Sequence, residues 1–161
     1  MREFESMPRY IQNWLLATDL MAPLFSTCSR RQFFAVVLSP NKRVAGIGYN
    51  GGPPGFIHCN DGGCPHADDS HKSGTTYDSC IAQHAEAGAL LWSDNGLRQN
   101  GTVVVNGAPC FGCAKLIASC GIKQVAFWAD NSYDDYLKTE LFLVKSGVAP
   151  IAVSRPISQD M

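Results

Sequence analysis

The chain has 161 residues, 45% of them hydrophobic, with 13 Lys and Arg against 14 Asp and Glu for a formal charge of −1. That length is enough for one domain with a proper core, and the balance leaves no basic face for a nucleic-acid backbone. No apolar run reaches the ~18 residues that span a bilayer, and the N-terminus carries no signal-peptide pattern. Seven cysteines without such a signal point to metal or thiol chemistry rather than a disulfide framework. The expectation is a single cytoplasmic domain over residues 1–161, with neither nucleic acid nor membrane as partner.

Residues 8–25 carry Tyr10, Ile11, Trp14, Leu15, Ala17, Leu20 and Met21 at helical spacing, with Pro8 suited to a first turn. Phe33 to Ser39 has the composition of a buried strand. A turn at 40–43 and a second strand at 44–49 make an antiparallel hairpin with it. Residues 50–80 follow, crowded with glycine and proline and holding His58, His66, His71, Cys59, Cys64 and Cys80. This insertion loop is too long and irregular for an ordinary connection, which suggests a functional or metal-pinned segment.

A helix opens near His84 and is expected to stop at Asn95-Gly96. Then come a strand at 102–106, a helix at 110–119 ended by Gly121, a strand at 123–128, a helix at 133–146 closed by Gly147, and a strand at 149–154. Strands alternating with helices in the second half imply parallel pairing with crossovers. The expected class is α/β: a three-layer α/β/α arrangement around a five-stranded mixed sheet.

The chemistry concentrates in two places. "QHAEAGALLW" (83–92) opens a helix with His84 and sets Glu86 two residues on. "PCFGC" (109–113) places Cys110 and Cys113 in the first turn of the next helix. Free N–H groups and the dipole at a helix start favour thiolates, as a zinc ion requires. With His84 as a third ligand, the fourth position stays open, which is the arrangement of a catalytic zinc. Such a zinc brings the pKa of water toward ~7, and Glu86, near the metal without binding it, suits proton transfer. Either half alone is weak evidence. Together, H-x-E followed by P-C-x-x-C is the pattern of zinc-dependent nucleobase deaminases.

From about Trp14 to Val153 the sequence resembles the deoxycytidylate (dCMP) deaminase branch of the cytidine deaminase-like superfamily. The resemblance rests on "CSRRQFFAVVLSPNKRVAGIGYNGGPPG", "CIAQHAEAGALL" and "PCFGCAKLIASCGIKQVAF". It implies hydrolysis of dCMP to dUMP and ammonia, with His84, Cys110 and Cys113 on zinc and Glu86 catalytic. It further implies that Asn50 bonds the deoxyribose, that Arg30 or Arg31 meets the 5′-phosphate, and that the Ala85 N–H contacts the pyrimidine carbonyl. From the residues alone, Asn50 is equally the left-handed residue of a "YNGG" turn, and the arginines are equally a solvated pair. A homo-oligomer with a small-molecule substrate is the expected state.

Three positions depart from the family pattern: Phe33-Phe34-Ala35 in place of a small V-G-A, Gly88 in place of Asn, and Asn106-Gly107-Ala108 in place of a Thr-containing turn. Phe34 is expected to crowd the pocket, and Phe34, Phe111, Trp128 and Tyr133 are the candidates for stacking on the base. These departures leave room for a modified pyrimidine nucleotide, a nucleoside or another aminated heterocycle as substrate. A zinc-stabilised module without catalysis is the other alternative, although a structural site has no need of Glu86. Some relatives carry a structural zinc near the insertion loop. Cys28, Cys59, Cys64 and Cys80 are the candidate ligands for a second ion here, in competition with the histidines and with a reading as free thiols. Cys120, at the end of a helix, is expected in the core.

Overall fold

The computed structural model describes residues 1–66, 80–130 and 136–156. Five strands form one sheet: β1 (Phe34–Leu38), β2 (Val44–Tyr49), β3 (Thr102–Val105), β4 (Gln124–Trp128) and β5 (Ala149–Val153), in the order β2-β1-β3-β4-β5. β1 runs antiparallel to both β2 and β3, while β3, β4 and β5 are mutually parallel. This is the expected mixed sheet with its opening hairpin.

Side chains alternate across the sheet, and both sets are apolar. Ala35, Val37, Val103, Val105, Val125 and Phe127 join one core with residues of α2 (Ala85–Leu91), α4 (Phe111–Ser119) and α5 (Tyr136–Lys145). Val36, Leu38, Val104, Ala126 and Trp128 join another with Ile11 and Leu15 of α1 (Arg9–Phe25). Burial on both faces explains why "FAVVL" and "TVVV" read as unbroken apolar runs. α4 and α5 are followed by Gly121 and Gly147 at φ +77° and +75°, the left-handed residue that ends a helix at low cost.

One boundary differs from expectation. The second helix ends at Leu91, and Asn95-Gly96 opens a separate short helix, α3 (Asn95–Arg98), instead of closing the previous one. Asp94 is the reason: its carboxylate accepts the Leu97 N–H at 2.9 Å and so caps a new start. Of the expected helix 133–146, residues 133–135 lie outside the described residues. So do residues 67–79 of the insertion loop, including His71. Around them, Cys59–Asp61 form a single 3-10 turn, and Gly51 pairs with Gln83 in an isolated bridge.

Candidate active site

His84 is the N-cap residue of α2 and Cys110 that of α4. Both helices start at the C-terminal side of the central strands, where their first turns meet. His84 Nδ1 lies 3.4 Å from Cys110 Sγ and 3.4 Å from Cys113 Sγ, and the three ligand atoms all lie within 4.8 Å of one another. A tetrahedral zinc with ordinary Zn–N and Zn–S bonds separates nitrogen from sulfur by about 3.6 Å. The donor set and its spacing therefore fit zinc without rearrangement. The Cys113 N–H donates to Cys110 Sγ at 3.4 Å. Hydrogen bonds from the Cys113 thiol, from His84 and from that N–H hold the Cys110 thiol down to about 4 against its burial. Cys113 is pushed the other way by the same shared proton and by burial.

Glu86 is buried in the first turn of α2, with 5% of its surface exposed. Burial raises its carboxyl above the ordinary carboxylate range, and the charge of nearby His84 opposes the shift. Both residues are set in depth by the contact between α2 and β2. A Cβ at Gly48 would fall on the Ala85 carbonyl and the Ala89 N–H, and one at Gly46 would lie 2.6 Å from the Ala89 carbonyl. The helix thus rests on bare strand backbone. Beside the ligands an open groove of about 870 Å³ is lined by Gln83, Ala87, Phe111, Lys115 and Leu116 among others.

Ala85, the first residue of α2, is buried, and N–H groups in a helix's first turn have no partner within the helix. Arg30 and Arg31 are exposed on the connection between α1 and β1. Asn50 is buried, with 7% of its surface exposed, and its amide is engaged inside the protein. Oδ1 accepts from the Ser26 hydroxyl and the Phe33 N–H, each at 2.7 Å, and Nδ2 donates to the Arg31 carbonyl at 2.6 Å. Its φ is not positive, so the left-handed turn reading does not hold. Two accepted bonds fill the carbonyl oxygen, which leaves one N–H as the donor for a ligand.

Cys59 is buried, and its thiol is pushed up to about 11 by that burial and then by the proximity of Cys64, Cys28 and Cys80. Cys64, Cys28 and Cys80 are thus close enough to act on Cys59, but among the described residues only His84, Cys110 and Cys113 bring their ligand atoms within 4.8 Å of one another. Cys120 closes α4 and packs against the core shared by α2 and α4.

Two aromatic expectations are corrected. Trp128 is fully buried on the α1 face, between Phe4 and Arg155, away from the ligands. Phe34 is also buried, its ring 5.6 Å from that of Phe25 in α1; sheet alternation turns it from His84, so it fills core and not pocket. Phe111 lines the groove beside Cys110, and Tyr133 lies outside the described residues. Asn106, which the sequence marks only as a departure from the family pattern, has a structural part at the site. It is buried at the end of β3, accepts the Phe34 N–H at 2.9 Å and donates to the Gln32 carbonyl at 3.0 Å. An asparagine ending an all-valine strand is the signal that marks it.

Residues 10–129 match the family model described as the cytidine and deoxycytidylate deaminase zinc-binding region. The chain is similar to the deoxycytidylate deaminase of Mycobacterium phage D29, at 40% identity over 63% of this chain and 81% of that protein. It is also similar to the deoxycytidylate deaminase of Schizosaccharomyces pombe, at 34% identity over 76% of this chain. It spans only 38% of the length of that fission-yeast relative. In fold it is similar to the dCMP deaminase of cyanophage S-TIM5, solved in complex with dCMP and dUMP. That likeness has a TM-score of 0.70 at 24% identity and covers 91% of this chain and 98% of the other. With a family model running through both of its ligand-bearing helices, this chain belongs to the cytidine and deoxycytidylate deaminase family.

Proposed function

We propose that the chain is a zinc-dependent hydrolase that converts dCMP to dUMP and ammonia. The observation that carries this reading is the convergence of His84, Cys110 and Cys113 within 4.8 Å, with Glu86 buried in the first turn of the helix that His84 caps. His84, Cys110 and Cys113 hold the metal. When bound, zinc supplies the Lewis acidity that makes water nucleophilic at neutral pH. Glu86 removes a proton from the water that adds to C4 and delivers it to ring N3; the second proton goes to the 4-amino group, the C4–N bond breaks, ammonia leaves, and the water oxygen stays on C4 as the 4-oxo group. A carboxyl lifted by burial is suited to such two-way transfer. The Ala85 N–H meets the pyrimidine carbonyl, the remaining Asn50 donor reaches the sugar, and Arg30 and Arg31 meet the 5′-phosphate, for which a guanidinium fork is well shaped.

The effect of Cys64, Cys28 and Cys80 on the Cys59 thiol is the support for a second, structural zinc on these four thiols, whose ligand atoms are not drawn together as those of His84, Cys110 and Cys113 are. A closed set of four thiolates would pin the loop without taking part in the chemistry. The working protein is a cytoplasmic homo-oligomer. Among the described residues no helix is long and apolar enough to cross a membrane.

A substrate panel tests the reading: cytosine, deoxycytidine, dCMP and dCTP with zinc-replete protein, scored by ammonia release. The expected result is the highest kcat/KM on dCMP. Preference for a base or nucleoside would favour the broader class of aminated heterocycles, and no release from any of them would favour a non-catalytic zinc module.

A further inference from the structure

Asn50 and Asn106 grip the segment between α1 and β1 from its two edges. Asn50 takes the Arg31 carbonyl and the Phe33 N–H; Asn106 takes the Gln32 carbonyl and the Phe34 N–H. In extended backbone the N–H and C=O of one residue point to the same edge, and those of the next residue to the other. Asn50 follows β2 and Asn106 follows β3, the two neighbours of β1. Their side-chain amides therefore continue both ladders one step past the end of β1.

The clamp fixes direction as well as position. Along residues 31–34 side chains must alternate between faces. Phe34 packs on Phe25 of α1, and Phe33 packs against the core shared by α2 and α4. Arg31 therefore shares the face of Phe33, the face that carries His84, Cys110 and Cys113. Both anchors are also tied to the ligands through the chain. Asn106 lies four residues before Cys110, and Gly51, next to Asn50, exchanges two hydrogen bonds with Gln83, the neighbour of His84.

We infer that Asn106 is a positioning residue for recognition of the substrate's anionic group: with Asn50 it holds residues 31–34 extended, and so aims Arg31 at the substrate's phosphate on the face of the sheet that carries the metal ligands. This rests on the reading of the arginine pair as phosphate-binding. Asn106 itself touches no substrate. Its loss frees the Gln32 carbonyl and the Phe34 N–H, loosens the segment that carries Arg31, and weakens phosphate binding without altering the reacting centre.

The test is steady-state kinetics of Asn106→Asp and Asn106→Ser on dCMP and on deoxycytidine, beside Arg31→Ala and Arg30→Ala. Asp keeps the acceptor for the Phe34 N–H but faces the Gln32 carbonyl with a second acceptor; Ser is too short to reach it. Both Asn106 variants should raise KM for dCMP roughly tenfold, keep kcat within about threefold, and leave deoxycytidine turnover unchanged. Arg31→Ala should give the same pattern and Arg30→Ala a smaller effect. If Arg31→Ala raises KM while neither Asn106 variant does, the positioning role is wrong and the phosphate reading stands. If neither arginine variant raises KM, the phosphate reading fails and the inference falls with it. Equal losses on dCMP and deoxycytidine would place Asn106 in the chemistry of the ring. Failure of both variants to fold would make Asn106 a core residue. Either outcome overturns the inference.

Discussion

Cys110 and Cys113 show how one helix start can make two thiols unequal. Cys110, as N-cap, gathers hydrogen bonds from the Cys113 thiol, His84 and the Cys113 N–H, while Cys113 lies deeper. A metal replaces the shared proton and draws on both sulfurs. Cys110→Ala or Cys113→Ala should therefore lower zinc content by one ion per chain and abolish turnover; full metal content in both variants would contradict the ligand assignment. Gly88 poses the opposite question. A Cβ there would lie 3.6 Å from the Gly48 Cα, an ordinary contact, so nothing in the packing requires glycine. Gly88→Ala should stabilise the protein by about 1 kcal/mol through helix propensity, read as a higher midpoint in urea. No gain, or a loss, would mean that α2 shifts on accepting the methyl group. The meeting of His84, Cys110 and Cys113 was legible, because a donor set depends on residue type and spacing alone. Asn50 was less so, since its engagement with Ser26 and Arg31 comes from a connection that spacing does not locate.

Among elements, the contact of α2 on β2 governs the site. Gly46 and Gly48 face the helix on one side of the strand, and the site's depth depends on their lacking side chains. Gly48→Ala should push α2 outward, lowering kcat/KM sharply together with thermal stability. A variant with normal activity and melting would show that the helix has room to move. The proposed second metal group would likewise be an element-scale device, joining Cys28 after α1 to Cys59, Cys64 and Cys80. Cys59→Ser should remove one zinc and lower the melting temperature more than it lowers turnover; one zinc per chain in fully active wild-type protein would contradict it. Every strand and all three long helices after α1 were legible, because apolar periodicity and the glycines after α4 and α5 are local signals. α3 was not. Its start depends on Asp94 outcompeting the stop signal of Asn95-Gly96, a contest between two local rules that the sequence does not rank.

For the whole molecule, the conspicuous surface is apolar. Leu20 and Leu24 of α1, and Leu91 and Trp92 at the end of α2, are all exposed, Trp92 to 74%. Leu20 and Leu24 lie on the α1 side of the sheet and Leu91 and Trp92 on the α2 side, and each pair is a place where a second copy could bury apolar area. Light scattering should give a mass at a whole multiple of 17.4 kDa above one; a single-chain mass would contradict the oligomer. The α/β class was legible from the order of elements. Which face of the sheet Phe34 and Trp128 occupy was not, since a strand buried on both sides carries no polar residue to mark its inner face. Their pocket roles failed for that reason, and the Phe34 argument against dCMP goes with them.

The proposed activity needs a zinc on His84, Cys110 and Cys113 together with the carboxylate of Glu86. The most direct measurement compares wild type with Glu86→Gln for ammonia release from dCMP, with zinc content determined on the same samples. A carboxamide keeps the shape but cannot carry the proton, and a general acid–base group is typically worth ~10²–10⁴ in rate. Zinc should be equal in the two proteins and turnover in the variant lower by at least ~10²-fold. Turnover within a few-fold of wild type at equal zinc would contradict it.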